Sequence, residues 1–521
     1  MRNRRLWLGL LAVLALVATS CGSSSSSSNK TPTTKVAKVG GSVVAVGPDA
    51  QSLDPLKVIN SATQGADVLN AVYDVLYTLT PNTSAFNPRI AVSFTSTDGL
   101  TWTLTLKDGV KFSDGTPLDA DAVKFNWDRN KTNTKSTSFG QLMNVESFTV
   151  TSPTVLTVKL KTVNRQFVQV IPVVNLGWIA SPTAIKAQGD TYGADAKAVG
   201  AGPFTVKSRT PATETVLVRN ATYWQTGLPK LDQITMKAVV DAQAATDSVI
   251  SGQAQLYTFG LGESLKQATD AGLQSQVWNE LQGATSMLFN QNKPPFDNVK
   301  ARQAVTLALD IPQMIDVVTM NGETAATSMF QQNSPFYDAK YNFPKSDPVQ
   351  AQKLFDELAA ANGGQPLSFV MAVSTNTANK ARVTQLQTQL SKYKNVKAEL
   401  KVIDGPQYGT ALFAGDFNMA LYAIASPDPE PQFAQLSSTY YVKIADMKSA
   451  AGDAALLAGV QATDTAARKV AYGNLQQALL DSWAEIWMYR NITRAIFSKN
   501  TTGLVTYGQG SHLFDSYGLT E

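Results

Sequence analysis

The chain has 521 residues, a formal charge of +4 and 44% hydrophobic residues. That length exceeds what one hydrophobic core organises and predicts two or three domains. The apolar content excludes a disordered chain, the near-balance of charge excludes a nucleic-acid-binding protein, and a single cysteine excludes an intramolecular disulfide.

Arg2, Arg4 and Arg5 lead into an unbroken apolar stretch over 6–18, then Thr19-Ser20-Cys21 and the serines 23–28. A basic start, a short apolar core and small residues before the break predict a secretory signal over 1–20. An apolar core of about 13 residues is too short to span a hydrocarbon slab. Removing residues 1–20 removes three arginines and no acids, which takes +4 to +1. Residues 22–40 bury almost nothing and predict a coil reaching on the order of 25 Å. Beside Cys21 this reads as a tether; a roleless disordered end has the same composition.

After the tether the pattern is mixed α/β. A strand is expected over 42–46 and a helix over 64–77. The segment 101–107 alternates, with Trp102, Leu104 and Leu106 on one face. Asp119 is placed to cap a helix carrying Val123 and Trp127 on one side. Strands 147–150 and 155–160 flank the Ser152-Pro153 turn. Further strands follow at 204–207, 215–219 and 233–238. Beyond residue 298 the elements alternate: helices 299–310 and 347–361, strand 367–372, helix 378–393, strand 396–403, helix 406–414 and strand 417–424. Helix 464–482 and strands 485–489 and 493–498 close the chain. Such alternation predicts sheets sandwiched between helices.

The catalytic inventory is thin. His512 is the one histidine, so a nucleophile would have a single possible histidine base. Neither H-E-x-x-H nor paired C-x-x-C is present, so zinc has no ready site, and no cofactor is called for. Gly200-Ala201-Gly202 lacks the third glycine of a dinucleotide loop and reads as a turn into a strand. Asp428 and Glu430 lie among prolines in a rigid loop without further oxygen ligands at loop spacing, so no metal site is expected there.

Cys21, where small residues end the apolar run, resembles the bacterial lipobox, in which the cysteine becomes the lipidated first residue. Ala18 stands where that pattern usually has Leu, and a plain secreted protein is the alternative. Several further blocks resemble extracytoplasmic solute-binding proteins of family 5, the dipeptide-, oligopeptide- and nickel-binding components of ABC importers. They are Ser52-Leu53-Asp54-Pro55; the segment 97–118 with Asp98-Gly99, Trp102, Gly109-Val110-Lys111-Phe112 and Asp114-Gly115-Thr116-Pro117; Gly200-Ala201-Gly202-Pro203-Phe204; Arg219-Asn220-Ala221-Thr222-Tyr223-Trp224; Ser251-Gly252-Gln253; and 297–308 with Arg302-Gln303-Ala304. Read physically, Trp102 and Phe112 belong to a core, Arg219 and Tyr223 hold a loop to its own lobe, and Arg302 makes a salt bridge.

The resemblance implies an α/β, bilobal periplasmic-binding-protein-like fold of class II, cluster C, with an extra subdomain in the first lobe. Lobe I would comprise 41–75, 195–287 and 488–521, the extra subdomain 76–194 and lobe II 288–487, with crossings near Asn290 and Ile486. It also implies a membrane-anchored receptor, acting as a monomer outside the cytoplasmic membrane, that captures a small solute and hands it to an ABC permease. A sensory or interaction lipoprotein of the same fold is the alternative; an envelope hydrolase would need His512.

In the peptide-binding members an aspartate for the peptide's amino group precedes a D-P or E-P element. Asp428-Pro429 falls on that element and puts Ala425 at the carboxylate position, with Ser426 and Asp428 close by. Their carboxylate-binding arginine has its place near Thr375 and Asn376. With both charged anchors missing, a free dipeptide would bury two unpaired charges. A neutral polyhydroxylated or amide-rich, sugar-like solute suits these residues, and longer oligopeptides can bind through their backbone. Nickel is not expected, since histidine is its usual ligand and His512 is the one histidine. Tyr408, Tyr257, Trp178 and Phe259 are candidate ring contacts, each weighed against core packing, and Asn290 is a ligand or hinge candidate.

Overall fold

Two large sheets and one small one organise the chain, and their strand order shows where it changes lobe. The computed structural model describes residues 36–50, 52–58, 65–80, 85–258, 262–278, 282–319, 323–426, 428–490, 492–507 and 510–520. Cys21, Phe259 and most of the expected tether lie outside the described residues.

The first sheet has seven strands in the order Gln274–Trp278, Thr493–Phe497, Leu256–Thr258, Ser42–Gly47, Gln233–Ala238, Glu214–Arg219 and Phe204–Thr210. Ser42–Gly47 sits at its centre and runs parallel to both neighbours. Its Val43 and Ala45 share a core with Val68, Leu69, Val72 and Tyr73 of helix Ala66–Tyr73, while Val46 faces a second core with Val249 and Tyr257. Gly202 approaches the end of that helix so closely that a Cβ there would lie 2.4 Å from the Ala71 carbonyl oxygen.

A four-stranded antiparallel sheet, ordered Ala91–Thr95, Thr101–Leu106, Val155–Leu160 and Val145–Ser152, forms the extra subdomain. The alternation of Thr101–Leu106 is realised: Trp102, Leu104 and Leu106 are buried, with Thr101 and Thr103 exposed. They pack with Val123 and Trp127 of helix Ala120–Thr132, which Asp119 caps by accepting from the Ala122 amide at 2.9 Å. Trp178, Ala180, Ala184, Ile185 and Tyr192 join the first-lobe core instead, so the expected boundary at 194 overshoots the subdomain's own core.

The second large sheet is ordered Val396–Ile403, Leu367–Ser374, Met419–Ser426, Gln282–Phe289 and Glu485–Tyr489. The first three strands are parallel; Gln282–Phe289 runs antiparallel to both its neighbours. Separate cores lie on its two faces, one around Phe289, Phe296 and Phe369, the other around Phe330, Phe433 and Tyr472.

Trp278 still belongs to the first sheet and Gln282 already to the second, while Tyr489 ends in the second sheet and Thr493 begins in the first, so neither Asn290 nor Ile486 marks a change of sheet. The second sheet thus begins before the expected division at 287/288. The physical reason is the strand Gln282–Phe289, buried on both faces and built from small residues as much as large ones, so that it shows no alternation. Arg302 also departs from expectation. It donates to the carbonyls of Phe296 at 2.7 Å and Ser482 at 2.6 Å rather than to a carboxylate, because its helix Val299–Ala308 sets it beside the loop at Phe296 and the end of helix Thr465–Ser482.

Gly283 begins the crossing strand with φ +84°, and a Cβ there would meet the Ile424 carbonyl oxygen at 1.9 Å. Gly283→Ala should cost about 3 kcal/mol, read from the urea midpoint, because backbone strain and overpacking combine. A loss below about 0.5 kcal/mol would mean that the backbone relaxes there freely.

Candidate ligand-binding cleft between the lobes

Ligands of open α/β sheets lie beyond the carboxyl ends of the strands. In the first lobe those ends are Gly47, Ala238 and Thr258, which border a cavity that Asp49, Asp67 and Lys237 also line. Asp67 accepts from the His512 amide at 2.8 Å and lies 3.1 Å from its Nδ1, so the one histidine stands behind a carboxylate. Asp49 is held by Arg209 at 3.0 Å. In the second lobe the carboxyl ends are Ser374, Ile403 and Ser426. Register brings both crossings to these same edges. Gln282 lies opposite Ser426, and Tyr489 opposite Thr285, in the second lobe. Trp278 lies opposite Thr493 in the first.

Ser426, Asp428, Thr375 and Asn376 come to the second-lobe edge, whereas the Tyr408 hydroxyl lies over the sheet on the carbonyls of Ala372 and Leu421. Asp428 is not left open. Its carboxylate takes both terminal nitrogens of Arg468, at 2.6 and 2.9 Å, and accepts from the Glu430 amide at 3.1 Å. The buried Ser426 hydroxyl donates to the Asp428 carbonyl. Asn376 caps helix Thr377–Leu390 by accepting from the Asn379 amide at 3.0 Å. Thr375 is exposed, with its amide on the Ile403 carbonyl. Tyr408 donates to the Leu421 carbonyl at 2.6 Å, and burial pushes its phenol well up.

The other three candidates stand elsewhere. Asn290 lies at the far end of its strand, where its side chain donates to the carbonyls of Gly415 and Phe417; a strand that starts at the crossing must end away from it. Trp178 is in the first-lobe core, with its indole N–H on Asn70 Oδ1 at 2.9 Å. Tyr257 is 5% exposed and packs against Val46 and Ile496.

The sequence reasoning missed the charged group at the second crossing. Arg382, one turn into helix Thr377–Leu390, pairs with Glu323, donates to Asn379 Oδ1 at 3.0 Å and stacks over the Tyr489 ring at 4.4 Å. Beyond the crossing, the first lobe supplies Arg494. Burial holds its guanidinium below the ordinary range, with Glu323 drawing it up and Arg382 pressing it down. Arg490 clamps the crossing itself, donating to the carbonyls of Gly283, Ser328, Met329 and Phe330 at 2.6–3.1 Å. The signal was present in the sequence as two arginines inside the apolar strand pair at 485–498.

Two α/β lobes joined by two crossings, with strand ends opposed across them, define a two-lobed solute-binding protein. The chain belongs to the bacterial extracellular solute-binding proteins of family 5, whose "family 5 Middle" pattern matches residues 85–443. It is a binding protein and not an enzyme. It is 30% identical over 372 residues to the glutathione-binding protein GsiB of Shigella flexneri, covering 70% of each chain, and 29% identical to that of Escherichia coli K12. The fold matches DppA of Helicobacter pylori, solved with the peptide STSA, at a TM-score of 0.79 and 19% identity, over 93% of this chain and 99% of that one. It matches the oligopeptide-binding AppA of Bacillus subtilis, solved with a nonapeptide, at 0.80 and 19%, over 93% and 100%.

Asp428→Ala leaves Arg468 buried without its partner. It should lower stability by about 3–5 kcal/mol in urea unfolding, the penalty for half a buried ion pair. A loss below about 1 kcal/mol would show that water reaches Arg468 readily.

Proposed function

We propose that this protein is the lipid-anchored solute receptor of an ABC importer. It captures a short peptide or peptide-like solute bearing a carboxylate and delivers it, as a monomer, to a membrane permease. The observation that carries the ligand class is the charge at the second crossing. Two guanidiniums, Arg382 and Arg494, one from each lobe, stand near the Glu323 carboxylate. An anionic group between the lobes would relieve their mutual repulsion and would be contacted only when both lobes are together. That difference between open and closed forms is what closure around a ligand requires. Guanidiniums contributed by both lobes at the crossing favour an anionic solute over a neutral sugar-like one. The relatives named as glutathione-binding and the structures solved with peptides support a peptide-like ligand.

Anchorage rests on the pattern of Arg2 to Cys21, with a tether leaving the folded body free beside the outer face of the cytoplasmic membrane. Cys21→Ser should move the protein from the membrane fraction to the soluble extracytoplasmic fraction; a protein still wholly membrane-bound would reject the anchor. Deleting the gene should reduce uptake of the bound solute, and unchanged uptake would reject the import role.

Isothermal titration with glutathione and with tri- and tetrapeptides tests the ligand class. Arg494→Gln should weaken a carboxylate-bearing ligand at least tenfold, about 1.4 kcal/mol. The same peptide with its carboxyl amidated should bind wild type and variant equally. Equal loss for both peptides would detach Arg494 from carboxylate recognition.

A further inference from the structure

The extra subdomain and the second lobe also meet directly. Asn164, after strand Val155–Leu160, donates from Nδ2 to Oε1 of Glu430 at 2.9 Å, and both residues are buried. Next to it, the Arg165 amide donates to the Val460 carbonyl at 2.7 Å. The rings of Phe139 and Tyr441 meet edge-on with centroids 5.2 Å apart. These contacts join segments of different lobes, so parting of the lobes breaks them together.

Glu430 is the carboxyl group in this clasp. The charged and titratable groups around it come from several segments. Asp428 and Arg468 neutralise each other in a two-pronged pair. Tyr472 accepts from Arg468 at 3.1 Å. Tyr440 is half-buried beside Tyr441, and Tyr422 donates to Gln435 at 2.8 Å. From the subdomain, Arg165 directs its guanidinium to the Thr97 carbonyl at 3.3 Å, and the turn Phe167–Val170 carries no charge. Arg468 is thus already committed, and the partner that crosses the interface to Glu430 is a neutral amide.

We infer that the Asn164–Glu430 clasp is a proton-linked latch, in which the lobes close with the Glu430 carboxyl neutral and part more readily when it is charged. The inference rests on the solute-binding reading and adds a second control to the same cleft. Burial raises the Glu430 carboxyl to about 7, against the pull of Asn164 and Arg468. In the open form water reaches the carboxyl and it titrates in the ordinary carboxylate range. Closure between those two values takes a proton from solution. The closed-to-open ratio should therefore rise about tenfold as pH falls from 8 to 6.

Fluorophores on Asp190→Cys and Lys392→Cys, both exposed, in the Cys21→Ser full chain read the lobe separation by single-molecule energy transfer with no solute added. This background, with the clasp intact, should shift toward the closed form by about tenfold from pH 8 to pH 6. Glu430→Gln should stay closed to the same extent at both pH values, and Asn164→Ala should lower the closed fraction at pH 6. An identical ratio at both pH values without the Glu430 change, or a pH response that survives Glu430→Gln, overturns the latch. Calorimetry with glutathione at pH 6 is read separately: no heat there counts against the ligand class and leaves the latch to the energy-transfer result.

Discussion

One reversal of direction governs this structure. Gln282–Phe289 runs against Met419–Ser426 along its whole length, so the strand begins at the edge where its neighbour ends. Had it run parallel, the first crossing would have had to pass over the sheet to reach the opposite edge. The antiparallel register instead lets both crossings leave from one side, beside the carboxyl ends of the parallel strands. The cleft, the hinge and the arginines that flank it all follow from that placement.

Several of the buried charges are answered by specific partners. Arg490 and Arg302 are satisfied by backbone carbonyls, Asp428 by Arg468, and Asp74 by Arg89 at 2.6 Å and by the Tyr223 hydroxyl at 2.8 Å. Arg89 reaches on to Asp515 at 3.1 Å, which ties the chain's last segment to the first lobe. An ion in low dielectric costs several kcal/mol unless its hydrogen-bonding capacity is met, so these contacts fix loops that apolar packing alone would leave free to slide. The group at the second crossing differs in kind. There guanidiniums from both lobes meet around the Glu323 carboxylate.

Closure then combines two kinds of contact. In the proposed reading, solute recognition draws on strand ends and on arginines contributed by both lobes, whereas the clasp of Asn164 and Glu430 needs no solute at all. A clasp of one amide on one carboxyl is weak enough to open and specific enough to set the closed geometry. Solute and clasp bias the same two-state motion, and each therefore affects the apparent strength of the other.

Much of the fold was legible because local chemistry agreed with it. Thr101–Leu106 alternates, Asp119 caps its helix, and Val396–Ile403 and Glu485–Tyr489 fall where their residues place them. The family blocks at 97–118 and 219–224 carry turns and packing that any chain of this fold must repeat. Gln282–Phe289 was hidden because a strand covered on both faces has no polar side to betray its period. Asn290, Trp178 and Tyr257 were misplaced as cleft candidates for a related reason, since sequence gives a residue's type but not which end of a strand or which side of a sheet it occupies. By itself, then, the sequence determined a mixed α/β chain through its periodicities and turn chemistry, and the family resemblance of its blocks implied the two-lobed organisation. Only the tertiary structure decided which charges meet, because Arg382 with Glu323, Asp428 with Arg468 and Asn164 with Glu430 are brought together across long stretches of chain by sheet register and lobe packing.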